Sequence, residues 1–455
     1  MTTVSEQFAA FALDLRWEDV PDDVRALARG HFLDALGIAL ASSRMDFATA
    51  VHGAALSLGA GSDATAIGFG TRLPAPSAAL VNGTLTHGLD FDDTHIEAVY
   101  HASAPAFAAA LAAGEAAGAD GRSTLVAFVV GLELGCRLAG AAPGAFHDRG
   151  FHPTALCGTF ASAAVAARLA VDDRTALVNA LGLCGSQAAG ILELRESWLK
   201  RLHPGWAAHS GLVAAALGRH GFRGPATVFE GPHGFFASHL GRVPDGSESP
   251  AHELGTRWTA RGIALKPYPC CHFVHAFVDA ALALREQVRG EDIERIDCPL
   301  TPRLQSLVGE PRERRIEPPT IYDALFSVPY AVALALVKGR VDLAAFYDEP
   351  LDDPAVLAVA AKTFCPDDVA SDYPKHFPGE VRITLKDGRT LQRREPTSRG
   401  TPERRLAPGD IEAKFFQNAT RAVPERDAKR IVDMVWELER LPEIGALVRE
   451  CVRRG

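Results

Sequence analysis

The sequence predicts a mainly α protein of two domains: a large all-helical one drawn from both chain ends, residues 1–267 and 405–455, and a smaller α+β one over 268–404. Three observations predict this. Alanine, leucine and valine recur at helical spacing from residue 5 to about 220, the texture turns to strand-like alternation after residue 268, and helical patterns resume near 405. The length of 455 residues agrees, since single hydrophobic cores stop growing well before that size.

In chain order, "PDDVRALARGHFLDALGIALASS" opens the first clear helix. Pro21, Asp22 and Asp23 suit a helix start, where orphan N–H groups favour acidic side chains, and Val24, Leu27, Phe32, Leu36 and Leu40 recur on one face. Similar runs at 104–117, 124–140, 155–170, 174–189 and 206–219 are divided by Gly, Pro, Asp or His turns. Alanine-rich faces let helices approach closely and need little side-chain ordering. The longest uncharged window, Thr175 to Leu192, contains Asn179, Ser186, Gln187 and three glycines, so it reads as a buried helix and not a membrane span. Beyond 268, helical runs at 270–286, 320–338 and 353–363 alternate with strands. "IERIDCPLT" is one, and "GEVRITLKDGRTLQRREP" is a hairpin turning at Asp387-Gly388, with Val381, Ile383 and Leu385 on one face. "PGDIEAKFFQNA" and "ERDAKRIVDMVWELER" then return to helical spacing and rejoin the first domain.

Composition narrows the function. A net charge of -9 argues against a nucleic-acid binder, which normally shows a basic excess, so an anionic ligand needs a local basic pocket. Eight cysteines without C-x-x-C spacing read as buried free thiols of a reducing compartment. The N-terminal "MTTVSEQFAAFALDLRWEDV" carries Glu6 and Asp14 where a secretory signal is basic and apolar, so a cytoplasmic location is expected, with no membrane partner. No G-x-G-x-x-G follows a strand, and there is no Walker A sequence, G-x-S-x-G elbow or H-E-x-x-H.

Five polar clusters remain. "HGLDFDDTHIEAVYH" gathers His87, Asp90, Asp92, Asp93, Thr94, His95, Glu97 and His101. It fits a metal site, a solvated helix end or a proton-transfer site, and if helical it puts Asp90 and Asp93 on one face with Asp92 pointing elsewhere. "DRGFHPT" sets Arg149 and His152 before an apolar helix, whose N-terminus favours an anion, although His152 on its own also suits a packing role. "LRESWLKRLHPGWAAHSG" concentrates Arg195, Lys200, Arg201, His203 and His209 around a helix start at Pro204, with Trp198 and Trp206 flanking Lys200. "ALKPYPCCHFVHAFVDA" holds Lys266, His272 and His275, the last paired i,i+4 with Asp279. "YDALFSVPYAVA" places Tyr322, Ser327 and Tyr330 at an apolar helix, where an aromatic is usually core. Lys200, Lys266 and Arg149 would repel a metal cation but attract a polycarboxylate, beside which a histidine or aspartate exchanges protons at carbon.

The ordered motifs "DFDDTH", "HASAP", "FHPT", "KRLHPGWAAHSG", "KPYPCCHFVHA" and "FSVPYAVA" resemble the MmgE/PrpD family, which includes 2-methylcitrate dehydratase, cis-aconitate decarboxylase and iminodisuccinate epimerase. The resemblance runs from about residue 5 to 450. It implies that the α+β domain is a lid, that the chain forms a homodimer, and that catalysis needs no metal and no organic cofactor. It carries catalytic roles onto Asp90, His101, His152 and Tyr330, and substrate binding onto Thr94, Lys200 and Lys266. Two positions depart from it: Ala102 stands where many relatives have proline, and Leu325 where many have lysine. The implied activity is a dehydratase or decarboxylase acting on a small di- or tricarboxylate, with epimerisation of a small dicarboxylate as the alternative.

Overall fold

The computed structural model describes residues 2–170, 173–194, 197–373 and 375–452. Arg195, one of the basic residues singled out above, lies outside them. The protein is mainly α-helical, and its contacts divide it into two compact units, Met1–Ile263 with Ala407–Gly455, and Ala264–Leu406.

The first unit includes the helices α1 (Asp22–Ser42), α2 (Ala75–His87), α3 (Ser103–Ala117), α4 (Gly121–Gly140), α5 (Pro153–Ala170), α6 (Arg174–Cys184) and α7 (Leu199–Arg219). Small residues set how closely they pack. A Cβ on Gly83 of α2 would fall 2.7 Å from the Cα of Gly205 in α7, and one on Gly211 would fall 2.6 Å from the backbone nitrogen of Ala163 in α5. Helix α7 is thus pressed between α2 and α5, which carries its first turn to the end of α2. On the far side Phe32 of α1 meets Phe107 of α3 and Phe128 of α4 edge-on, with ring centroids 4.8 and 5.5 Å away. Such pairs add about 1 kcal/mol each beyond the area they bury. The C-terminal helix Pro408–Ala419 closes on α1, where Lys414 meets Asp34 at 2.7 Å.

Two helix expectations need correction in this unit. The uncharged window beginning at Thr175 is helical only as far as Cys184, with a turn at Gly185. Among the described residues, the helix long and apolar enough to cross a membrane is instead α4, and it is buried in the first unit. Pro204 does not start a helix. It sits inside α7, which begins at Leu199, and its missing N–H leaves the carbonyl of Lys200 without its usual i+4 donor.

The second unit holds α8 (His275–Leu284), β1 (Ile293–Asp297), α9 (Val328–Lys338), β2 (Thr363–Phe364), β3 (Gly379–Leu385) and β4 (Thr390–Glu395). Its sheet runs β2-β1-β3-β4, with β1 and β2 parallel and the other pairs antiparallel. The hairpin turns where the alternation predicts, and Gly388 takes φ +87°, a value glycine adopts without strain. Val381, Ile383 and Leu385 share one core with Phe277 and Val278 of α8 and Val332 of α9. The run 320–338 is broken at Ser327, whose hydroxyl accepts the N–H of Tyr330 and so begins α9 afresh. The run 353–363 stops as a helix at Ala360 and continues as β2. His275 does not pair with Asp279: its Nε2 meets the carbonyl of Cys270, while Asp279 accepts from the Tyr268 hydroxyl and the N–H of Arg399.

Candidate active site

Helix α2 ends at His87, and the charged segment after it is a loop rather than a helix. Asp90 and Val99 both have positive φ, +51° and +48°, conformations that cost a non-glycine residue about 1–2 kcal/mol. The loop geometry overturns the expectation that Asp90 and Asp93 share a face. Its three aspartates diverge, and each takes a different partner.

Asp90 meets Lys200 of α7 at 2.9 Å, with both side chains largely withdrawn from solvent. Asp92 turns back to His87, both carboxylate oxygens lying 2.9 Å from Nδ1. Asp93 is buried and organises the rest. Its Oδ1 accepts the N–H groups of Ala102 and Ser103, at 3.1 and 3.0 Å, at the start of α3. Its Oδ2 accepts the Ser103 hydroxyl and lies 2.5 Å from His31 Nδ1 on α1. Its main-chain carbonyl lies 2.7 Å from His101 Nδ1. Burial alone would raise the Asp93 carboxyl, but the hydrogen bonds from His31 and Ser103 and the charge of His31 outweigh it and hold it below the usual carboxylate range.

These contacts draw histidines from three parts of the sequence into one cluster. The His101 N–H donates to Thr154 Oγ1 near the start of α5, and His152, immediately before α5, donates its own N–H to the carbonyl of Gly190. The rings of His87 and His101 lie 4.5 Å apart between centroids, and each lies 5.9 Å from His152. His203, one turn along α7 from Lys200, brings its Nδ1 to 2.9 Å from Nδ1 of His152. All four rings are buried.

The partners fix the tautomers. A carbonyl or carboxylate oxygen only accepts, so Nδ1 of His101 and of His87 carries the ring hydrogen and Nε2 is left with its lone pair. Burial pushes His152 well below its ordinary pKa, helped by His203, His87 and Lys200, and His203 falls to about 4 for the same reasons. Both rings are neutral near pH 7. The site therefore pairs an imidazole at His101 anchored by a main-chain carbonyl with imidazoles at His152 and His203 that resist a charge.

Of the residues singled out in the sequence, Asp90, Thr94, His101, His152 and Lys200 all lie in the first unit, and Thr94 keeps a buried hydroxyl with no hydrogen-bond partner among the described residues. Lys266 and Tyr330 belong to the second unit. Lys266 is buried there, and Tyr330 is a core residue whose phenol is pushed up to about 12 by burial and the charges of Asp353 and Asp352. Arg149 is exposed. Trp198 and Trp206 are half-exposed: one ring packs edge-on against Phe47 and the other stacks on His209. His95 is structural, held by the carbonyl of Thr259 and lowered to about 4 by burial.

Two ligand sets for a cation lie in this region: His87, His101 and His152, and His87, Asp90 and Asp92. The second already binds Lys200 and the His87 N–H through its carboxylates. The first includes His152, which burial, with smaller help from neighbouring His203, His87 and Lys200, holds well below its ordinary pKa.

His31 carried no motif and escaped the sequence reading, Ser103 sat inside the "HASAP" motif without being given a role, and His203 was seen only as part of a basic turn. One signal for His31 was available: it interrupts the apolar face of α1 between Ala28 and Phe32, and a buried polar group on such a face demands a partner.

Models of the MmgE/PrpD N-terminal and C-terminal domains match residues 6–245 and 268–440. The chain is 27% identical over 476 residues to the cis-aconitate decarboxylase of Aspergillus terreus, covering 98% of this chain and 95% of that one. It is 27% identical over 468 residues to the cis-aconitate decarboxylase of Mus musculus, covering 99% and 93%. Against the Homo sapiens cis-aconitate decarboxylase the figures are 29% over 390 residues, 83% and 79%.

Proposed function

Because the chain belongs to the MmgE/PrpD family, we propose that it is a lyase, free of metal and organic cofactor, that removes carbon dioxide from a small tricarboxylate of the cis-aconitate kind. The observation that carries this reading is the buried cluster of His87, His101 and His152 beside the Asp90–Lys200 pair. The names of the relatives support the substrate class.

In such a reaction the bond to one carboxylate breaks, its electron pair stays on the carbon skeleton, and a proton is delivered to carbon as carbon dioxide leaves. The difficulty is the carbanion-like charge, which fixed cations and hydrogen-bond donors stabilise best in a site that excludes water. Lys200 attracts a substrate carboxylate, with Asp90 holding its ammonium in place, and the buried Thr94 hydroxyl is a donor. Lys266 and Tyr330 carry only the roles that the family resemblance implies for them, a second cation and a hydrogen bond. His101 and His152 take different parts because their surroundings differ. An imidazolium at His101 meets the Asp92 carboxylate 3.6 Å from Nδ1, which suits a proton donor. His152 stays neutral and suits a hydrogen-bonding partner that adds no charge.

The test is incubation with citrate-like and aspartate-like acids in deuterated water, read by NMR. Loss of carbon dioxide with one deuterium placed on carbon is expected. Loss of water alone, or deuterium exchange with inversion and no bond to carbon dioxide broken, would replace decarboxylation with dehydration or epimerisation.

A further inference from the structure

The loop that carries the site is strained at both ends, at Asp90 and Val99, so something must hold its middle. Asp93 does so from within the loop. It binds the ring of His101 through its carbonyl and the next two peptides, Ala102 and Ser103, through Oδ1. Both the imidazole and the chain leaving it are therefore tied to one residue. Asp93 is in turn fixed from outside the segment by His31, whose Nδ1 reaches Oδ2 at 2.5 Å from the buried face of α1. That helix is anchored independently, by the Phe32 ring contacts and by Asp34 with Lys414.

We infer that His31 is a positioning residue: acting through Asp93, it keeps the Asp93 carbonyl on His101 Nδ1 and so keeps Nε2 of His101 as the proton-exchanging nitrogen. His31 itself does not touch substrate. Its contribution to rate rests on the proton-transfer reading above, whereas its effect on the His101 tautomer does not. A misplacement of about 1 Å in such a group lowers turnover roughly 100-fold.

The experiment compares His31→Asn with His31→Gln in the full chain. The asparagine amide nitrogen falls where Nδ1 of histidine lies, while that of glutamine falls where Nε2 lies, so the two differ in the donor to Asp93 and little in bulk. The first readout is the 15N NMR of labelled histidines, with His101 assigned from the signals lost in His101→Asn. In the parent and His31→Asn, Nδ1 of His101 is expected to stay protonated while Nε2 titrates; in His31→Gln that pattern is expected to collapse to mixed tautomers. The second readout is kcat, expected to fall about 100-fold in His31→Gln with KM changed less than about threefold, and to fall less than about tenfold in His31→Asn. A His31→Gln protein with the parental tautomer at His101 overturns the inference, whatever its activity or melting temperature. Equal losses in both variants with the tautomer intact also overturn it, leaving His31 a packing residue. If the parent turns over no carboxylic acid, the proposed function fails and the NMR comparison still decides the role of His31.

Discussion

The main-chain carbonyl of Asp93 lies 2.7 Å from Nδ1 of His101, and this contact decides which nitrogen of that ring exchanges protons. His101→Asn preserves it, since the asparagine amide reproduces Nδ1, but removes Nε2. Turnover is expected to fall by about 100- to 10,000-fold, the usual range for a lost acid or base, with a melting temperature close to the parent's. Steady-state kinetics beside a thermal melt check this; a variant with near-parental kcat takes His101 out of the chemistry.

Ala102 offers a second test. Here its N–H donates to Asp93 Oδ1 at 3.1 Å, a bond proline cannot make. Its φ of -80° already suits a proline ring, so Ala102→Pro removes one charge-assisted hydrogen bond without backbone strain. That bond is worth about 1.5–3 kcal/mol, offset by about 0.4–1 kcal/mol from the stiffer unfolded chain. Urea unfolding should show a net loss near 1–2 kcal/mol, and a gain in stability would contradict the hydrogen-bond assignment.

Lys200 is paired with Asp90 at 2.9 Å. Lys200→Met removes the cation, leaves Asp90 uncompensated and should raise KM at least tenfold for any polycarboxylate substrate while lowering kcat as well, since one charge serves both binding and the transition state. Initial-rate kinetics check it; an unchanged kcat/KM would show that Lys200 is structural only.

Stability should fall steeply in mild acid. His95, His152 and His203 have folded pKa values depressed below 6.5 by burial, two of them to about 4, so between those values the unfolded chain binds protons that the folded protein refuses. Their contribution is complete above about pH 6.5 and is lost as pH falls toward 4, at up to ~1.4 kcal/mol per pH unit for each ring. Asp34 acts the other way: burial raises it to about 6, so the folded state holds an extra proton between 3.8 and 6, and its contribution weakens as pH rises through that window. Burial raises Asp279 as well, so three rings oppose two carboxyls, and the melting temperature should drop between pH 6.5 and 4. A flat or rising profile there would mean that these rings are solvated or charged in the folded protein.

Much of the first unit was legible because its helices are marked by spacing and by small residues. Ser103 to Gly114 is buried residue by residue, and the alanine run predicts that. The hairpin at Asp387-Gly388 was equally plain. What the sequence concealed was local and three-dimensional. A one-residue excursion at Asp90 to positive φ turns an expected helical face into a loop, and no pattern of residue types announces it. Pro204 looked like a helix start because proline favours first turns, yet α7 carries it internally. Asp90, His101, His152 and Lys200 were found because they sit in dense polar motifs. His31 was not, because its importance comes from a contact with Asp93 across 62 positions of sequence.

The proposed reaction moves the proton at carbon with imidazoles and no metal. Its most direct measurement is deuterium incorporation from deuterated water during turnover of cis-aconitate by chelator-treated protein, read by NMR for the parent and for His101→Asn. Metal-stripped parent that releases carbon dioxide and places one deuterium on carbon at its original rate, while His101→Asn does neither, is the predicted result. Activity that disappears with the chelator and returns only with added divalent metal would contradict the account.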